Sequence, residues 1–115
     1  MKVSGINLSS KEPKVLAEFY RKIGVDVYVD GDNYDGWNLG EKEDENKMSI
    51  WIWNENKWGP SNQGFVTFVL STDDIEAEYT KLKGILTDIE PPIKAVWGGM
   101  ELKIEDPDGN KILIL

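Results

Sequence analysis

The stretch Glu105-Asp106-Pro107-Asp108-Gly109-Asn110, running into Lys111-Ile112-Leu113-Ile114-Leu115, decides the fold. Pro107 presets φ for the first corner of a tight turn. Asp108 can bond its own backbone, and Gly109 supplies a left-handed φ at no steric cost. Leu102 and Ile104 before the turn and the apolar run 112–115 after it predict a β-hairpin that closes the domain.

Upstream of the hairpin, residues 64–70 are β-branched and aromatic and predict a strand. Ser71 or Thr72 is the expected cap of a helix with acids in its first turn. Ile75, Tyr79 and Leu82 share one face of that helix, and Gly84 ends it. Strands are expected at 85–89, 95–97 and 100–105, with Gly98-Gly99 turning between the last two. The first half has the same order. Residues 3–9 alternate as a strand, Ser10 is the expected N-cap, and Pro13 stands in the first helical turn. Val15, Leu16, Phe19, Tyr20 and Ile23 recur at helical spacing up to Gly24. Strands at 25–29, 37–40 and 48–53 follow, separated by a turn-rich segment at 30–36 and an acidic turn at 41–47. Residues 54–63 read as a linker.

Each half therefore reads strand, helix, three strands. A half of this size cannot bury its own sheet face, so two copies are expected to pack together. The expected fold is α+β: two βαβββ modules, residues 1–53 and 64–115, forming a curved mixed sheet within a single domain.

A chain of 115 residues with 40% hydrophobic and 30% charged residues is ordinary for one soluble globular domain. No apolar run approaches the roughly 20 residues that a membrane span needs. The N-terminus enters a strand without a visible signal peptide, so a cytoplasmic location is expected. The net charge of -8 argues against nucleic-acid binding, which needs a basic face. Eight acids and one base between residues 26 and 46 account for nearly all of that excess. They read either as solvated loops or as a surface that attracts cations. There is no cysteine and no histidine. Thiolate chemistry, disulfides, the commonest general base and the commonest transition-metal ligand are absent together.

The first strand, the helix carrying Phe19-Tyr20, strand 48–53 leading through Trp58-Gly59, and the closing Asp-Pro-Asp-Gly-Asn hairpin together resemble the glyoxalase/bleomycin-resistance/dioxygenase superfamily, also called vicinal oxygen chelate proteins. The resemblance covers essentially the whole chain. It implies a cup built from paired modules, with one divalent metal held by His and Glu from the first and last strands of each half. Aligned on this sequence, the four ligand positions fall at Gly5, Trp51, Thr67 and Leu113. Only the Thr67 hydroxyl has a donor atom, and a shift of one residue supplies no better set. The resemblance thus implies the fold, while these residues argue against the family's metal chemistry. No cofactor is expected. Paired chains in the family further imply a homodimer.

Other chemistry is weakly signalled. Asp30, Asp32 and Glu41 stand at positions 1, 3 and 12 of a calcium-loop pattern, but Tyr34 and Asp35 replace the ligand and glycine required between them. Glu101, Lys103 and Glu105 alternate with Leu102 and Ile104 and are expected on the face away from the helix. The positive signal is tryptophan, at five residues. Trp51 and Trp53 share one face of their strand, while Met48, Ile50 and Ile52 share the other. The aliphatic face suits the helix, which leaves the tryptophans for a flat or cationic ligand or for filling vacated space. The expectation is a metal-free protein that binds an aromatic or cationic small molecule through Asn7, Trp51, Trp53, Thr67, Glu101 and Lys103. The alternatives are an enzyme of the same superfamily with a non-standard site, and a member with a plugged cup that acts in protein interaction.

Overall fold

The computed structural model describes residues 5–29, 37–41, 48–59, 66–95 and 97–115. The turn-rich segment 30–36, most of the acidic turn and the calcium-like pattern apart from Glu41 lie outside the described residues. The chain divides into two compact units, Met1–Gly64 and Phe65–Leu115.

The first unit contains β1 (Gly5–Ser10), α1 (Pro13–Lys22), β2 (Val27–Tyr28), β3 (Trp37–Leu39), β4 (Ser49–Asn54) and a one-turn helix, α2 (Glu55–Trp58). Its four strands lie in the order β1-β4-β3-β2. β1 runs parallel to β4, and the other pairs are antiparallel. The second unit contains β5 (Thr67–Leu70), α3 (Ile75–Lys83), β6 (Ile93–Lys94), β7 (Met100–Glu105) and β8 (Lys111–Ile114). Its order is β5-β8-β7-β6, with β5 parallel to β8 and the rest antiparallel. Each unit is thus one βαβββ module with the same strand order.

Alternation along the strands sets what each face buries. In the first unit, Leu8, Leu39 and Ile52 are buried on the side of α1, with Leu16, Ala17 and Tyr20 of the helix. In the second, Phe68, Leu102, Ile104, Ile112 and Ile114 form the buried face, and Leu82 is the buried residue of α3. α1 and α3 pack on these buried faces, and α2 is held at the end of β1 and β4.

The closing turn is held by Asp106. Its buried carboxylate accepts from the Asp108 and Asn110 backbone N–H groups, both at 2.9 Å, and from the Asn110 side-chain amide at 2.8 Å. Asp106, two residues before Asp108, thus holds the backbone of this turn as an Asx turn. Gly109 takes φ 89°, as the turn requires. Asn110 then reaches back, its Oδ1 accepting from Val66 N–H at 3.2 Å, which ties the turn to the start of β5.

Several local expectations are corrected. The N-cap of α1 is Glu12, with Pro13 in its first turn; Ser10 instead accepts from Glu12 N–H at 3.1 Å and shapes the approach. The cap of α3 is Asp74, which accepts from Ala77 N–H at 3.0 Å, in place of Ser71 or Thr72. Residues 85–89 are not a strand. The Leu82 carbonyl holds both Ile85 and Leu86 N–H in a helix-ending turn, and Asp88 stands at φ 59°. The strand expected there lies later, at Ile93–Lys94, after Pro91-Pro92. Of the strand expected at 95–97, Val96 lies outside the described residues; Ala95 N–H donates to Gly99 O at 2.8 Å across the Gly98 turn. The expected linker opens with α2, because Asn54 caps it by accepting from Asn56 N–H.

Candidate functional site

Register places the candidate residues on the face away from α1. Asn7 pairs with Trp51 across β1 and β4, Asn38 pairs with Trp51 across β3 and β4, and Tyr28 pairs with Asn38. Paired residues share a face, so Asn7, Trp51, Asn38 and Tyr28 form one row across the first unit's open face. Trp51 is partly exposed. Its ring lies over Gly5: a Cβ at residue 5 would stand 2.6 Å from the indole Cη2, and nearer still to Cζ3 and the Ser49 carbonyl oxygen. Only glycine leaves room for the ring there.

Trp53 shares the Trp51 face but has a second commitment. Its indole N–H donates to Gly59 O at 2.7 Å, while Ser9, its register partner, donates from Oγ to Glu55 Oε2 at 2.8 Å. Together these bonds fasten α2 to the end of β1 and β4.

Asn38 was not singled out in the sequence. It is 2% exposed, and among the described residues its Nδ2 has no hydrogen-bond partner. The signal was faint: Asn38 alternates with Trp37 and Leu39, but which strand it faced could not be read from spacing.

In the second unit, the same relation recurs. Val69 pairs with Leu113, and Leu113 with Lys103. Gly5 is offset by two residues from Trp51 on the adjacent parallel strand, and Thr67 is offset identically from Leu113. The four positions therefore form two equivalent diagonal pairs, one in each unit. Thr67 is exposed on the edge strand β5 and stands apart from the cleft described next.

Glu101 and Lys103 line a cleft of about 380 Å³ with Glu90, Pro91 and Ile93. Lys103 Nζ lies 3.1 Å from Glu101 Oε2, and Trp97 Nε1 donates to Glu101 Oε1 at 2.8 Å. Trp97 is 62% exposed, and its ring covers Gly99 where any Cβ would collide with it. The Glu101 side chain is only 14% exposed. Donation from Trp97 and then the neighbouring Lys103 holds its carboxyl below the ordinary 4.5, so it is ionised at neutral pH. Glu105 is exposed and paired with Lys111.

The sequence matches the profile of the Glyoxalase/Bleomycin resistance protein/Dioxygenase superfamily over residues 3–114. The chain belongs to this superfamily. Its fold is shared by the bleomycin-binding protein complexed with bleomycin, at TM-score 0.66 and 19% identity, covering 99% of this chain and 97% of that one. It is similar to TnmS3, an antibiotic binding protein from Streptomyces sp. CB03234, at TM-score 0.72 and 21% identity, covering 99% and 93%. It is also similar to lactoylglutathione lyase from Agrobacterium tumefaciens, at TM-score 0.70 and 14% identity, covering 96% and 90%. No curated protein matches the chain by sequence.

The divalent metal that the superfamily's resemblance implies does not fit this member's residues. Gly5, Trp51 and Leu113 have no ligating side-chain atom, and the Trp51 ring fills the space above Gly5. Among the described residues, no group of three or more His, Cys, Asp or Glu could hold a metal. Nor is any described helix long and apolar enough to cross a membrane.

Proposed function

We propose that this superfamily member binds a planar or cationic small molecule and holds it without transforming it. The observation that carries this reading is the second unit's cleft, where Pro91 and Ile93 give apolar walls and Glu101 and Lys103 give fixed polar groups. About 380 Å³ lies within the range of small-molecule sites. Glu90 and Glu101 against the single Lys103 leave the lining acidic, which suits a cation. In the first unit, Trp51 offers an aromatic surface between two amides. The bleomycin-binding and antibiotic-binding neighbours support a capture role. The reading includes no metal and no cofactor; it carries a homodimer from the family resemblance and a cytoplasmic setting from the sequence.

Calorimetric titration with a planar cation such as proflavine tests it. Glu101→Gln removes one acid from the lining and is expected to weaken binding several-fold. Unchanged affinity in that variant would remove the cleft from the proposal.

The packing of Trp51 on Gly5 favours a second reading, in which the open face is filled and serves contact with another protein. Saturable binding of proflavine quenched by Trp51 would decide against it.

A further inference from the structure

We infer that the Glu101 carboxylate is the cation seat of the second unit's cleft, that Lys103 is its resident occupant, and that the ligand is an alkylammonium compound whose charged end displaces the Lys103 ammonium. This rests on the reading above that the cleft takes a cation.

Both charged side chains come from one strand. Glu101 and Lys103 stand two residues apart on β7, so alternation puts them on the face away from the buried Leu102 and Ile104. Ile93, the register partner of Glu101 on β6, shares that face. With Pro91 it walls the cleft beside the ion pair.

The partners of the carboxylate are divided between its two oxygens. Oε1 accepts from Trp97 Nε1 at 2.8 Å, and Oε2 lies 3.1 Å from Lys103 Nζ. The Trp97 ring lies over Gly99, so its bond holds Glu101 in place when Lys103 turns away. The two side chains differ in exposure, 14% for Glu101 against 62% for Lys103. The acid is built into the wall, and the base reaches it from solvent on a rotatable stem. Such a pair contributes little, because ordering the long lysine side chain offsets much of the attraction. A ligand ammonium carried on an apolar frame meets no such weakness, since contact of the frame with Pro91 and Ile93 offsets the cost of ordering it. Glu90, exposed on the same lining, adds a second negative charge that favours the incoming cation.

The Lys103 ammonium thus shows what the seat accepts: a charged nitrogen bearing hydrogens on an alkyl stem. It also sets a threshold. A bare ammonium ion gains only what Lys103 gives up, whereas an amine with an apolar body gains the wall contacts as well. Lys103 is in this way a specificity-determining residue that acts by yielding its place.

Calorimetry with 1-naphthylmethylamine and with 1-naphthalenemethanol, a neutral counterpart of the same shape, tests the inference. Wild-type protein is expected to prefer the amine. Lys103→Met keeps the stem and removes the competing charge, and it is expected to raise that preference about 2- to 5-fold, the range of one exposed ion pair. In Glu101→Gln the seat is gone, and adding Lys103→Met to that variant is expected to give no such gain. A preference that falls or stays the same in Lys103→Met overturns the inference, because Lys103 then holds the ligand or stands idle. A gain of equal size with and without Glu101 also overturns it, because the general field of the lysine, and not a shared seat, is then at work. Circular dichroism checks that each variant folds, and Lys103→Gln carries the test if Lys103→Met does not. Proflavine separates the two claims. If it binds wild type and weakens in Glu101→Gln while Lys103→Met leaves the amine preference unmoved, the cation reading stands and the inference falls. If neither proflavine nor the amine binds, both fall.

Discussion

The indole of Trp51 rests on Gly5, so that the two positions the family resemblance aligns with metal ligands are joined by packing. The contact is specific in both directions. Trp51 reaches across only because residue 5 has no side chain, and β1 accepts a glycine, intrinsically unfavourable in a strand, at the point of close approach. Gly5→Ala is expected to destabilise the protein by about 1–3 kcal/mol through overpacking. Chemical denaturation measures the loss, and the Trp51 emission should shift as its ring is displaced.

Asp106 is the keystone of the closing turn. Its carboxylate satisfies two backbone N–H groups and the Asn110 amide, and Asn110 in turn anchors Val66. Asp106→Ala leaves these donors without a partner and is expected to cost about 2–4 kcal/mol. Urea unfolding checks the magnitude. A loss below about 1 kcal/mol would mean that water replaces the carboxylate freely.

The ion pair and indole bond at Glu101 predict a pH effect of known sign. The carboxyl is held below 4.5 in the folded protein, first by Trp97 and then by Lys103. Its contribution to stability is therefore fully present above about pH 5 and is lost as pH falls through the lowered folded value. In Trp97→Phe the Glu101 titration should move up toward its ordinary range, as followed by carboxyl NMR. An unmoved titration would show that the Trp97 bond does not form in solution.

Much of this was legible in the sequence, for identifiable reasons. Pro107, Gly109 and the flanking apolar runs allow little but a hairpin, and the alternation Ile50-Trp51-Ile52-Trp53 places the tryptophans opposite the helix. Local signals misled where a competing hydrogen bond at a helix end won. Residues 85–89 read as a strand, yet the end of α3 holds Ile85 and Leu86. Ser71 and Thr72 are good caps by type, but Asp74 stands where the helix actually begins. The site was less legible than the fold. Trp53 gave no hint of its bond to Gly59, which lies outside the strand. Asn38 stands between Trp51 and Tyr28, and that is a fact of strand pairing that spacing does not encode.

The donor set at Gly5, Trp51, Thr67 and Leu113 predicts indifference to metal. Exhaustive chelation should leave melting temperature and probe affinity unchanged, and elemental analysis should find no stoichiometric nickel, zinc, manganese or iron. One equivalent of any of these, retained through purification, would require ligands other than the four positions aligned with the family.

The most direct test of the account is a tryptophan-fluorescence titration of the wild-type protein with proflavine and with 9-fluorenone, run beside Trp51→Ala. A saturable change in emission, a rise in melting temperature with ligand, and affinity weakened about tenfold in Trp51→Ala are predicted. Emission and melting temperature unmoved by either compound, or identical affinity in the variant, would contradict capture of a planar molecule at the Trp51 face.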